Sequence, residues 1–170
     1  MTDVSDVSDG LDPTSIIGAT LPPARVVIER GPVSAFATAL TDGNQVYHDA
    51  EFASDAGFDA IPAPPTYGFA MRAWGAFPEI QPDGHDTPSP MMSLIGNLMS
   101  QGGLVLHGEE EFIYHRPIVV GDTLTATGRI TDAYVKEGGS TMTFIVGETL
   151  YHDDRDELVL TERTTLLHKA

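Results

Sequence analysis

The spacing of apolar residues along the chain changes character near Leu104. Before it, the pattern is mainly helical. Ser15 to Gly18 predicts a short helical turn, followed by the proline-bearing stretch Thr20 to Ala24 and a β-branched strand, Arg25 to Glu29. Pro32 suits a helix's first turn, and a helix through Ala39 puts Val33, Phe36, Ala37 and Leu40 on one face. Thr41 to Asn44 ends that helix, and Asp49 to Ala56 predicts another short one. After an irregular crossing at Gly57, Pro62, Pro64 and Pro65, Thr66 to Phe77 repeats Phe69, Ala70, Ala73, Trp74 and Phe77 at the i, i+3, i+4 spacing of a buried helix, with Thr66 as its cap. Pro78 to Pro90 holds four prolines and predicts a loop or lid, and Met91 to Met99 resumes helix.

From Leu104 onward the period drops to two. Glu109 to His115 alternates acidic and apolar residues, and Arg116 to Asp122 carries turn chemistry. Strands are expected over Thr123 to Tyr134, Thr141 to His152 and Glu157 to His168, separated by turns at Lys136 to Ser140 and Asp153 to Asp156. Helices grouped ahead of a β-meander imply an α+β domain whose antiparallel sheet wraps one buried helix. Residues 15–170 are read as that single domain. Met1 to Thr14, polar and repetitive, is read as a disordered acidic tail.

Charge narrows the partners. Nine Lys and Arg against 25 Asp and Glu leave a net charge of −16. Such a surface repels phosphate backbones and anionic lipid, so neither nucleic acid nor a membrane surface is an expected partner. An anionic substrate would need a local basic patch, for which Arg72, Arg116, Arg129 and Lys136 are the candidates. There is no cysteine, which removes disulfides, thiolate metal sites and a thiol nucleophile. The acidic start lacks a signal peptide's basic and apolar runs, and no stretch of apolar residues is long enough to span a bilayer. A cytoplasmic location is the expectation.

Candidate chemistry is densest at Thr41-Asp42-Gly43-Asn44-Gln45-Val46-Tyr47-His48-Asp49, between two apolar helices. A carboxylate and an imidazole together can take a proton from beside a carbonyl and return one at the other end. The same residues also make a good turn, Asp42-Gly43-Asn44, and a good helix start, His48-Asp49. His107, ahead of the acidic run Glu109 to Glu111, is a further candidate. His115-Arg116-Pro117 is read as holding the strand end, with Arg116 paired to a carboxylate. His85, His152 and His168 lack metal-ligand spacing and are read as surface residues, so no metal is expected.

These segments carry a family resemblance. Leu40 to Asp49, then Ala53, Gly57-Phe58, Ile61 and Ala63-Pro64-Pro65-Thr66, resemble the MaoC-like dehydratase N-terminal domain, as do His107 to Pro117 and Gly121-Asp122-Thr123-Leu124. The likeness runs from about Arg25 to Leu167. It implies a hot-dog fold, a homodimer or a heterodimer with another hot-dog subunit, and reversible hydration of a 2-enoyl thioester of coenzyme A or acyl carrier protein, without a cofactor. In the related type 2 enoyl-CoA hydratases the motif reads Asp-x-Asn-Pro-(apolar)-His, and a backbone N–H at the start of the central helix polarises the thioester carbonyl. Asp42 and Asn44 match this motif. Gln45 stands at the proline, Tyr47 at the histidine, and His48 one residue later. Asp42, His48 and Tyr47 are therefore the expected catalytic group, with Asn44 and His107 at the substrate. The helix start departs too, because Pro64 and Pro65 have no N–H. The oxyanion donor would have to come from Thr66, Tyr67 or Gly68. Trp74, Phe77 and the loop Pro78 to Met92 are expected to line or cover an acyl tunnel. The expected function is a hydro-lyase active by itself; the alternative is a non-catalytic acyl-binding subunit of a heteromeric dehydratase.

Overall fold

The computed structural model describes residues 12–170. Five strands form one antiparallel sheet: β1 (Thr20–Val27), β2 (Leu104–Tyr114), β3 (Thr123–Lys136), β4 (Met142–His152) and β5 (Leu158–Lys169), in the spatial order β1-β3-β4-β5-β2. Four helices precede or interrupt the strands: α1 (Arg30–Ala39), α2 (Ala50–Asp55), α3 (Tyr67–Gly75) and α4 (Pro90–Ser100). The meander β3-β4-β5 matches the expected hairpins to within about two residues at each end.

Helix α3 lies across the sheet and reaches both of its margins. At Gly68 an added Cβ would meet the Phe112 ring of β2 at 3.0 Å and Leu160 of β5 at 3.2 Å. At Gly75 it would run into the backbone carbonyl of Val27 in β1. A nine-residue helix can touch the two outermost strands of a five-stranded sheet only if the sheet curls round it, the arrangement expected from the chain.

The face that α3 turns to the sheet is not the one its large apolar residues predict. Tyr67, Gly68, Met71 and Gly75 are buried, whereas Phe69 is 63% and Trp74 42% exposed. Ala73 is exposed as well, and Phe77 lies beyond the helix end. A hydrophobic pattern ranks residues by apolar bulk, but here the decisive positions are glycines, selected because the backbones pass so closely.

Two apolar clusters fill the concave side. One, with Val26, Tyr67, Met71, Leu124 and Leu160, lies under α3; the other, with Met91, Leu94, Ile95, Ile130 and Ile145, lies under α4. Tyr67 is almost fully buried and meets Phe36 of α1 edge-on at 5.4 Å. Leu40, expected on the buried face of α1, is 47% exposed as its C-cap.

Three further segments differ from the sequence reading. Strand β1 runs through Pro22 and Pro23 and ends at Val27, because an outer strand tolerates proline on its unpaired side. The loop after Phe77 is pinned to β1: the Gln81 amide accepts from Arg25 N–H at 3.0 Å and donates to the Arg25 carbonyl at 2.9 Å. The expected tail through Thr14 overlaps a 3-10 turn, Pro13–Ile16, capped by Asp12, in which Pro13 is buried; Met1 to Leu11 lies outside the described residues.

The close approach of α3 generates the first prediction. Gly75→Ala should destabilise the protein by about 1–3 kcal/mol, the usual cost of overpacking. Ala73→Ser, on the exposed face of the same helix, should stay within about 0.5 kcal/mol. Urea unfolding of the two variants measures both.

Candidate functional site

The polar loop after α1 is held by its own side chains. Thr41 takes a left-handed conformation (φ 56°), and Asp42 N–H donates back to the Ala37 carbonyl at 3.0 Å. The Asp42 carboxylate accepts from Asn44 N–H at 3.0 Å, and the Asn44 side chain accepts from Val46 N–H at 3.2 Å. Asp49 caps α2 by accepting from Glu51 and Phe52 N–H. Asp42, Asn44 and Asp49 thus do the turn and capping work open to residues of their type.

His48 does approach Asp42, but at the main chain. Its Nε2 lies 3.1 Å from the Asp42 carbonyl oxygen, while Arg30 Nη2 donates to the His48 carbonyl at 2.7 Å. A histidine bound to a backbone oxygen is anchored, not paired with a carboxylate that could share a proton with it.

Tyr47 faces the other way. It lines a cavity of about 390 Å³ together with Phe58, Ala63, Pro65, Tyr114 and Ile118, a lining to which Asp42 and His48 do not contribute. Burial, and then the Asp42 charge, push the Tyr47 phenol above its ordinary value of 10.0. It therefore stays protonated at neutral pH and can donate a hydrogen bond.

At the helix start, the candidate carbonyl-polarising groups are dispersed. Tyr67 N–H donates to the Pro64 carbonyl at 2.9 Å, and its ring is in the core. Gly68 is spent on packing against Phe112 and Leu160, and Thr66 is exposed without making a side-chain cap. Tyr114 Oη donates to the Pro65 carbonyl at 2.6 Å, which ties the end of β2 to the entry of α3. Burial, reinforced by the Glu162 charge, pushes the Tyr114 phenol up to about 12.

Of the remaining candidates, Arg116 also lines this cavity, with His115 beside it, whereas His107, Trp74, Arg72, Arg129 and Lys136 do not. His107 Nε2 sits 2.7 Å from Glu110 Oε2, and its ring meets Phe69 edge-on at 5.2 Å. Trp74 packs against Phe36 and Tyr67 and is not among the cavity's lining residues. His168, expected at the surface, is buried with Nε2 2.8 Å from the Gly102 carbonyl, whereas His85 is exposed. The four basic candidates do not form a patch. Arg116 donates to Asp122 at 2.8 and 3.0 Å and to Asp153 at 3.2 Å, the carboxylate pairing expected of it. Arg129 stands 3.8 Å from Glu148, Lys136 lies over the Tyr134 and Phe144 rings, and Arg72 lines a separate cleft.

Comparison with known proteins gives this arrangement a family. Residues 15–162 match the profile of the FAS1-like dehydratase domain region. The chain belongs to this family. A UPF0336 protein of Streptomyces coelicolor is 33% identical over 157 residues, 92% of this chain and 94% of that protein. A chain of the HadBC 3R-hydroxyacyl-ACP dehydratase complex of Mycobacterium tuberculosis superposes with a TM-score of 0.67 at 22% identity, covering 92% of this chain and 99% of its own. One of the ChsH1–ChsH2 complex of the same organism gives 0.70 at 21% identity, over 88% and 83%. The fold of this FAS1-like dehydratase-region protein is therefore the hot-dog fold of the MaoC-like dehydratases.

The dehydratase-region protein also carries a buried polar band that the sequence reading passed over. Glu162 of β5 is only 8% exposed and accepts from Tyr151 Oη at 2.8 Å. Nearby, Glu110 accepts from Thr164 Oγ1 at 3.0 Å and meets His107. The band begins a cleft of about 290 Å³ lined by Arg72, Ser89, Met91, Met92, Glu162 and Thr164 among others. One signal was available: Leu158, Leu160, Glu162, Thr164 and Leu166 share one strand face, and a glutamate interrupts it.

Burial, and the neighbouring Glu110 carboxylate, raise Glu162 from 4.5 to about 7, against the opposing Tyr151 hydrogen bond. The folded protein therefore keeps a proton that the unfolded chain releases, and this group's contribution falls as pH rises from about 4.5 through about 7. The loss amounts to at most roughly 3 kcal/mol. Melting curves across pH 5 to 8 should show declining stability that Glu162→Gln flattens, because the amide still accepts from Tyr151 and carries no charge.

Proposed function

We propose that this protein is the acyl-binding subunit of a heteromeric dehydratase, working beside a second hot-dog subunit that carries the intact Asp/His pair. The observation that carries this reading is His48 bound to the main-chain carbonyl of Asp42, with the Asp42 carboxylate engaged in its own turn. The carboxylate and imidazole with which a self-sufficient hydratase would move protons do not face each other. The helix-start N–H of Tyr67 is likewise engaged by Pro64. Two solved structures of the same fold are, by description, complexes of paired subunits, which agrees with a partner for this chain.

In the reaction, a 3-hydroxyacyl thioester loses its α-proton and its β-hydroxyl as water and becomes a 2-enoyl thioester; hydration is the reverse. Chemistry of this kind needs one group to accept the proton and another to protonate the departing hydroxyl. This subunit's share is to hold the acyl part. The cavity beside α3 is within the usual size of small-ligand pockets and is lined mainly by apolar and aromatic side chains. The protonated Tyr47 phenol supplies a hydrogen-bond donor at its wall. Acyl-CoA and acyl carrier protein esters both present such an acyl group, and the substrate is one of these thioesters.

A second reading, a self-sufficient hydratase, draws on one observation: Asp42, Tyr47 and His48 lie in one loop, where the Asp42 charge acts on Tyr47. Hydration of crotonyl-CoA and of a longer enoyl-CoA separates the two. The purified chain alone should be inactive. Co-expressed with a hot-dog subunit bearing an intact Asp-x-Asn-Pro-x-His motif, it should form an active complex. In that complex Asp42→Asn and His48→Ala should keep activity within about twofold, while Tyr47→Phe raises KM. Activity of the chain alone, lost by at least about a hundredfold in Asp42→Asn, would establish the second reading instead.

A further inference from the structure

The two outer strands of the sheet are treated very differently. β1 is closed to pairing: Pro22 and Pro23 lack N–H groups, and Gln81 occupies both backbone groups of Arg25. β2 is open. Its eleven residues contain no proline and pair only with β5, and it is flanked by exposed Leu104, Leu106 and Ile113 and by Phe69 beside His107. An unpaired strand with an apolar margin is a template for another strand.

The charge along β2 says which strand. Glu109 and Glu111 point to the outer face with Ile113, while Glu110 turns inward to His107 and Thr164. Arg163 neutralises Glu111 at 2.7 Å; among the described residues Glu109 has no ion-pair partner. Two copies related by a two-fold axis pair antiparallel, so that residue i faces j and j faces i. Glu109 is at the middle of Leu104–Tyr114. Pairing centred there sets Glu109 against its own copy, and pairing centred on Glu110 sets Glu109 against Glu111 twice. Like charges directly opposite one another destabilise a strand pair, and a net charge of −16 on each copy adds repulsion at longer range.

We propose that the β2 edge selects against a second copy of this chain and for a different hot-dog subunit, one that presents a lysine or arginine opposite Glu109. This rests on the heteromeric reading above and adds the chemistry by which the partner is chosen. A basic residue at that position turns the repulsion into attraction while the apolar margin and the backbone pairing stay the same. Charge at the edge is thus the element that discriminates, and the apolar contacts supply affinity to either partner.

A charge-reversed copy of the chain serves as the probe. Wild type mixed with an affinity-tagged Glu109→Lys copy, resolved by native mass spectrometry, should form mixed pairs well above their statistical share. In sedimentation at low salt, Glu109→Gln should tighten self-association by roughly fivefold, with the difference shrinking at high salt. Glu137→Gln, an exposed acid in the β3–β4 turn, should have a much smaller effect. Mixed pairs at the statistical share, or a wild-type dimer indifferent to Glu109→Gln, would overturn the proposal. An active chain without a partner would overturn the heteromeric reading alone, since it does not bear on which strands prefer each other.

Discussion

Helix α3 lies so near the sheet that at Gly68 and Gly75 a side chain would meet Phe112, Leu160 or the Val27 backbone. That distance governs much of what surrounds it. The two glycines sit seven residues apart, about two helical turns, and each meets a different margin of the sheet. The sheet is thereby held in its curl from both sides. The helix start is carried to the end of β2, where the Tyr114 hydroxyl closes onto Pro65 and the apolar cavity opens beside it. The large side chains of α3 have no room on the inner face. Phe69 and Trp74 are left on the outside, and Phe69 comes to lie against His107 at the open edge.

Between the apolar clusters under α3 and α4, the concave side is interrupted by Glu162 and Glu110, and Tyr151 of the first cluster donates its hydroxyl to Glu162. A carboxyl group there costs stability unless it is hydrogen-bonded or neutral, and Glu162 is bonded by Tyr151, while burial and Glu110 raise it to about 7, so that it is mostly neutral below that pH. An apolar residue would avoid that cost. The polar band gives the space below α4 a different chemical character from the cavity beside Tyr47, so the two recesses of the fold suit different ligands.

Most of the architecture was legible in the chain. The change of period at Leu104 marks where helices give way to the meander, and the glycine-bearing and aspartate-bearing turns fall where the hairpins close. Elements whose logic is local were read well, including Asp49 as the cap of α2 and Arg116 as the partner of a carboxylate. What escaped the sequence depends on distance between segments. The buried face of α3 is set by backbone proximity, which apolar bulk does not encode. The prolines of β1 looked like breakers because nothing local says that the strand is an outer one. In the candidate site, the one-residue displacement of His48 was visible, yet only the fold shows its ring resting on a main-chain oxygen while Tyr47 takes the cavity wall. Glu162 is the intermediate case: the alternation of β5 exposes it as an intruder, and its partners come from β4 and β2.

The contrast between the margins of the sheet also bears on how far assembly can go. Proline and Gln81 stop one side of every copy, so a second copy added at β2 brings with it a side that accepts nothing more, and this chain closes its own end of any mixed pair. Two copies joined through β2 would present only closed margins, and growth by edge pairing would halt at two sheets. A protein with both margins free could extend into ribbons, the first step toward insoluble fibres. Here a dipeptide and one amide side chain act as a terminator, and a long, partly apolar edge can be displayed without the chain becoming a polymer.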